Sequence, residues 1–171
     1  MKNTLNIAVV GLGQIGIYLL NELNTKKKDI FNKTGQKINI VAVSAKNKNK
    51  KRKFSFNKKI FFKNPLEIFN KKKVDILFEA IGLSDGISKK VVETALKKNI
   101  HVITPNKALI SKHGNELAKL AEKNNVNLEF EASVAGGIPI LRSIKEGLTT
   151  NKISKVYGIL NGTSNYILSE M

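Results

Sequence analysis

Apolar positions along this chain follow two rhythms that take turns. Leu5, Ile7, Ala8, Val9 and Val10 make a nearly unbroken apolar run, as a strand covered on both faces requires. Ile15, Ile17, Leu19, Leu20 and Leu23 then recur at helical spacing, which predicts a helix from Gln14 to Asn24. The alternation continues with a second strand over Ile38–Val43, a short helix from Leu66 to Asn70 behind Pro65, and a third strand over Val74–Glu79. A helix from Gly86 to Lys98 buries Val91, Val92, Ala95 and Leu96, and a strand over His101–Thr104 leads to a helix from Lys107 to Asn124. A fifth strand is expected over Asn127–Glu131. Thr25–Lys37 reads as a lysine-rich connection and Lys46–Lys59 as a basic loop. Strand–helix crossovers of this length predict an α/β chain with a parallel, doubly wound sheet.

From Ala132 the character changes. Ala135-Gly136-Gly137-Ile138-Pro139 is a turn that feeds a helix over Pro139–Leu148, and a strand is expected over Ile153–Leu160. Asn161-Gly162-Thr163-Ser164 signals a turn and a cap for one last helix. That helix has scarcely begun at Met171, so the chain reads as cut. The expected division is 1–131 for the sheet domain and 132–171 for a junction and the start of a second domain.

Composition narrows the chemistry. The 171 residues include no cysteine, which removes disulfides, thiolate catalysis and cysteine-based zinc sites. His101 and His113 are the sole histidines and cannot form a metal cluster by themselves. No run reaches the length of a membrane span, and Met1–Thr4 leads directly into the first strand, so a cytoplasmic protein is expected. The net charge of +17 invites a nucleic-acid reading. Arginine occurs only at Arg52 and Arg142, however, and the other 28 of the 30 basic residues are lysine, the weaker choice for bidentate readout. A solvated lysine surface, with no nucleic-acid partner, accounts better for the charge.

The first strand opens onto Gly11-Leu12-Gly13-Gln14-Ile15-Gly16. Three glycines suit any tight strand-to-helix turn. After a strand and before a helix, they read as a dinucleotide site, in which Gly11 makes the turn, Gly13 admits the pyrophosphate and Gly16 lets the helix pack closely. The diphosphate would sit against free N–H groups of the first turn, at Gln14, Ile15 and Gly16. Such a site often ends its second strand in an acid that holds the ribose 2′-hydroxyl. Here that end reads Ser44-Ala45-Lys46, with Lys48, Lys50, Lys51, Arg52 and Lys53 beyond. Cations without a carboxylate favour NADP, with NAD possible; the same run also suits a solvated loop.

Three further segments carry a family resemblance. They are Thr104-Pro105-Asn106-Lys107-Ala108-Leu109, then Phe130-Glu131-Ala132-Ser133-Val134-Ala135-Gly136-Gly137-Ile138-Pro139-Ile140, and Gly158-Ile159-Leu160-Asn161-Gly162-Thr163-Ser164-Asn165-Tyr166-Ile167-Leu168. With the glycine loop, their order and spacing resemble homoserine dehydrogenase over essentially the whole chain. The resemblance implies a Rossmann-type sheet followed by the beginning of an α+β substrate and dimerisation domain. It also implies NAD(P)-dependent interconversion of L-homoserine and L-aspartate 4-semialdehyde, a step toward threonine, methionine and isoleucine, by a homodimer.

By the same resemblance Lys107 contacts cofactor and substrate. Glu131 and the carbonyls of Val134, Gly136 and Ile138 would hold a monovalent cation, sodium, and Gly162 and Thr163 would border the substrate pocket. The family's acid–base Asp and Lys fall beyond Met171, so the chain alone is expected to be inactive. The alternative is a nucleotide-sensing regulatory domain without catalysis.

Overall fold

The structure is a computed structural model that describes residues 3–48, 50, 52, 56–134, 136–158 and 162–171, with backbone alone for 162–164. β1 (Thr4–Val10) is its centre. Its side chains divide by parity: Ala8 and Val10 pack into one apolar cluster, Ile7 and Val9 into the other. That alternation is the period of a strand buried on both faces.

Parallel to β1 on one side runs β2 (Lys37–Ser44), followed by β3 (Phe61–Phe62). On the other side come β4 (Ile76–Glu79), β5 (His101–Ile103) and β6 (Leu128–Glu129). The order β3-β2-β1-β4-β5-β6 reverses direction at β1/β4, and ligands of open α/β sheets bind at the carboxyl ends beside such a reversal. The register brings Val10 level with both Ser44 and Glu79.

Helix α1 (Gln14–Thr25) covers one face with Leu20, Ile17 and Leu23. On the opposite face lie α4 (Ile87–Lys97) and α5 (Lys107–Lys123), whose Val91, Val92, Ala95, Leu96, Leu109, Leu117 and Ala121 are buried. The turn Pro65–Glu67 and α3 (Ile68–Lys71) add Ile68 and Phe69 to that face. No helix among the described residues is long and apolar enough to cross a membrane.

Three segments differ from the sequence expectation. The lysine-rich connection contains α2 (Lys27–Thr34), which buries no residue and ends on Gly35 at φ 69°. Asp29 in its first turn and Lys33 in its last complement the helix dipole, so local electrostatics and capping support it without an apolar stripe. Phe61–Phe62 adds an unforeseen strand.

The third departure is at 153–158. The expected strand is not formed there, and Ile153, Val156 and Tyr157 stay exposed. A strand exists by pairing with an edge, and among the described residues this segment has none. Ile159 and Leu160 lie outside the described residues. The junction carries a helical turn α6 (Glu131–Val134), then α7 (Ile140–Arg142), which continues in wider turns over Ser143–Gly147, and α8 (Gly162–Ser169) comes last. Glu131, expected at the end of a strand, therefore opens a helix instead.

Candidate functional site

A cavity of about 1250 Å³ opens at the carboxyl edge of the sheet. The glycine loop (Val10, Gly11, Leu12, Gly13) forms one wall and the segment after β2 (Ser44, Ala45, Lys46) another. Ala80, Ile81 and Leu83, which follow β4, line the third.

The three glycines play different parts. Gly11 sits at φ 97°, where L side chains are strained, and a Cβ there would collide with the carbonyl of Ala80. A Cβ on Gly16 would strike the carbonyl of Gly11. Gly13 is the exception: its φ of −80° suits any residue, and a Cβ would meet nothing within 4 Å. It is open where the cavity is open. Gly13 also starts α1 without a side-chain cap, so the first-turn N–H groups of Gln14, Ile15 and Gly16 lack helical acceptors and suit a diphosphate. The donors and the cradle fit the pyrophosphate of a dinucleotide.

Ser44 is buried at the end of β2. Lys46, Lys48, Lys50 and Arg52 border the cavity beyond it, with Lys63. Arg52 is committed to backbone oxygens. Its guanidinium donates to the carbonyls of Asn47 at 2.6 Å and Lys50 at 3.0 Å, and its Nε reaches the carbonyl of Leu12 at 3.4 Å. That side chain ties the basic loop to the glycine loop. The Lys48 ammonium stands 5.7 Å from the centre of the Phe61 ring. Lys51 and Lys53 lie outside the described residues.

Lys107 opens α5 at the same edge of the sheet and is exposed. It does not line the cavity, but the residues beside it are joined to the cavity wall. Asn106 caps α5 by accepting from the Leu109 N–H at 3.2 Å, and its amide donates to the Leu83 carbonyl at 2.8 Å. Behind it lies Glu79, which in the sequence reads only as the polar end of a strand. The loop is also clipped to α5 from outside, because Asp85 accepts from Lys112 at 2.8 Å and contacts His113 at 2.9 Å. Hydrogen bonds from Lys112, Ser84 and His113 hold the Asp85 carboxyl well below the ordinary carboxylate range.

At the junction, Glu131 accepts from the N–H groups of Leu141 at 2.9 Å and Arg142 at 3.2 Å, and thus caps the turn at Ile140. The Ile138 carbonyl accepts from the Ile140 N–H at 2.8 Å. A carboxylate offers about four acceptor positions, and these two N–H groups occupy two of those on Glu131. No cluster of three or more His, Asp or Glu side chains suited to a metal occurs among the described residues. Ala135 and Asn161 lie outside the described residues, and of Gly162 and Thr163 only the helical backbone is placed.

Sheet order, glycine loop and switch-point cavity define a dinucleotide-binding domain of the Rossmann type. The family model described as "Homoserine dehydrogenase, NAD binding domain" matches residues 11–131, and a second, "Homoserine dehydrogenase", matches 139–171. The chain belongs to the homoserine dehydrogenase family. It is 42% identical over 166 residues to a homoserine dehydrogenase of Neisseria gonorrhoeae, covering 97% of this chain and 38% of that protein. Identity to the Bacillus subtilis homoserine dehydrogenase is 35% over 167 residues, covering 98% of this chain and again 38% of the relative. Among solved structures, a homoserine dehydrogenase from Thiobacillus denitrificans superposes with a TM-score of 0.81 at 35% identity, over 98% of this chain and 38% of that one. The chain thus spans 38% of the length of each of these three relatives.

Proposed function

We propose that this chain holds NADP(H) in the switch-point cavity and forms the cofactor portion of a cytoplasmic enzyme that interconverts L-homoserine and L-aspartate 4-semialdehyde, toward threonine, methionine and isoleucine. The observation that carries this reading is the cavity itself, with a glycine loop on one wall and a carboxylate-free cationic segment on the next, in a chain of this family. Gly11, Gly13 and the first-turn N–H groups of α1 would receive the diphosphate. Ser44 and Lys46 would face the adenosine ribose and its 2′-phosphate. The bound nicotinamide supplies hydride exchange with the substrate carbon. In this reading Lys107 contacts both cofactor and substrate: its ammonium orients the substrate's hydroxyl or carbonyl oxygen and opposes the negative charge that grows there.

Glu131, with the carbonyls of Val134, Gly136 and Ile138, is proposed as a structural site for a monovalent cation, sodium, at the junction. Gly162 and Thr163 are proposed at the substrate border. Val156, Tyr157, Tyr166 and Leu168 are each more than half exposed, which supports burial of this surface in a homodimer. The commitment of the Arg52 guanidinium to carbonyl groups argues against a nucleic-acid role for the basic loop.

Cofactor choice gives the test. Fluorescence titration of the chain should show NADPH binding about tenfold or more tightly than NADH, the scale of one added charge-assisted contact. Equal affinity, or tighter NADH, would refute the NADP assignment.

A further inference from the structure

We propose that Glu79 is a positioning residue that couples the wall of the cofactor cavity to Lys107. The inference rests on the cofactor reading above. Glu79 ends β4 and is fully buried. Burying a carboxylate is costly unless its oxygens are satisfied, and all its described hydrogen-bond donors come from two loops at the rim of the site. Oε1 accepts from the Ile81 N–H at 2.7 Å, and Oε2 accepts from the Thr104 hydroxyl at 2.7 Å. The Asn106 amide lies 3.3 Å from Oε2. Ile81 lines the cavity; Thr104 and Asn106 lead into Lys107.

The carboxylate also sets which way Asn106 points. An acceptor at Glu79 and the Leu83 carbonyl together draw the NH₂ group inward. The amide oxygen is thereby turned outward to cap α5 at the Leu109 N–H. The Thr104 hydroxyl completes the chain of contacts by accepting from the Asn106 N–H at 3.0 Å while donating to Glu79. A glutamine would preserve shape but replace one acceptor with a donor, which faces either the Ile81 N–H or the Thr104 hydroxyl and Asn106 amide. In either orientation one of the two loops loses its acceptor at this residue. Cavity wall and Lys107 would lose their common anchor while the apolar sheet stayed intact.

The test is a double-mutant cycle on NADPH binding by the chain, using wild type, Glu79→Gln, Lys107→Ala and the double variant, with circular dichroism to check folding. Glu79→Gln is expected to fold and to weaken NADPH about tenfold, and Lys107→Ala to weaken it by a similar factor. In the Glu79→Gln background the Lys107 effect should shrink to less than about twofold, because the ammonium is no longer held in place. A merely structural Glu79 would leave the Lys107 effect whole. Undiminished Lys107 sensitivity, or a Glu79→Gln variant that binds as wild type, would overturn the proposal. Failure of the wild type to bind NADPH would overturn the cofactor reading instead. Should Glu79→Gln not fold, Thr104→Val removes the hydroxyl partner of the same carboxylate and must show the same loss of Lys107 sensitivity for the proposal to stand.

Discussion

Gly13→Val is expected to remove NADPH binding, with affinity lower by about a hundredfold or more, while the sheet remains folded. Gly13 borders the cavity at a backbone conformation open to any residue, and a Cβ there meets no atom within 4 Å. Protein contacts therefore do not oppose the substitution. Valine in place of glycine before the helix costs about 1 kcal/mol as a poorer cap. What the isopropyl group would obstruct is the approach of a diphosphate to the N–H groups of Gln14, Ile15 and Gly16. Removing two charge-assisted hydrogen bonds to the diphosphate costs roughly 3 kcal/mol or more, which is about a hundredfold in affinity. Gly16→Ala is the contrast, since its Cβ would strike the Gly11 carbonyl and overpack the α1–β1 junction by about 1–3 kcal/mol. Thermal melts and NADPH titration of the two variants check both statements. Normal NADPH binding by folded Gly13→Val would reduce the glycine loop to a turn.

The second large effect is expected at Lys107. With the chain fused to the remaining length of the Neisseria gonorrhoeae relative, Lys107→Ala should lower homoserine oxidation by about 10²-fold or more, the scale of one preorganised electrostatic contact. Stability should not fall with it. Lys107 occupies the first position of α5, where the positive end of the helix disfavours an ammonium by about 0.3–1 kcal/mol. Alanine relieves that opposition and is the better helix former. Steady-state kinetics beside a melting curve separate the two terms. Near-normal turnover would remove Lys107 from the site.

What the sequence made legible was local. The glycine loop declares itself because strand, turn and helix follow one another directly, with Gly16 constrained by Gly11 and Gly11 by Ala80 just past the neighbouring strand. Helices α4 and α5 are plain because a wide apolar face packs on the sheet. Ser44 and Lys46 can be placed at the cavity because the end of β2 is fixed by its own apolar run. The misses were created by pairing. Two phenylalanines make no periodic pattern, yet Phe61 and Phe62 complete the sheet beside Val43 and Ser44. The alternation at Ile153–Tyr157 suggests a strand that finds no edge among the described residues. Glu79 escapes notice because its partners Thr104 and Asn106 lie on the far side of α4 in sequence. An acid that ends an apolar run beside the β1/β4 reversal is the one available signal.

Amide-resolved NMR of the chain during titration with NADPH tests the central claim most directly. The account predicts saturable shifts at the backbone amides of Gly11–Gly16, Ser44–Lys48 and Ile81–Leu83, the three walls of one cavity. Amides along Gln36–Asn39, at the opposite edge of the sheet, should stay still. No saturable shifts, or shifts concentrated away from the carboxyl edge, would contradict it.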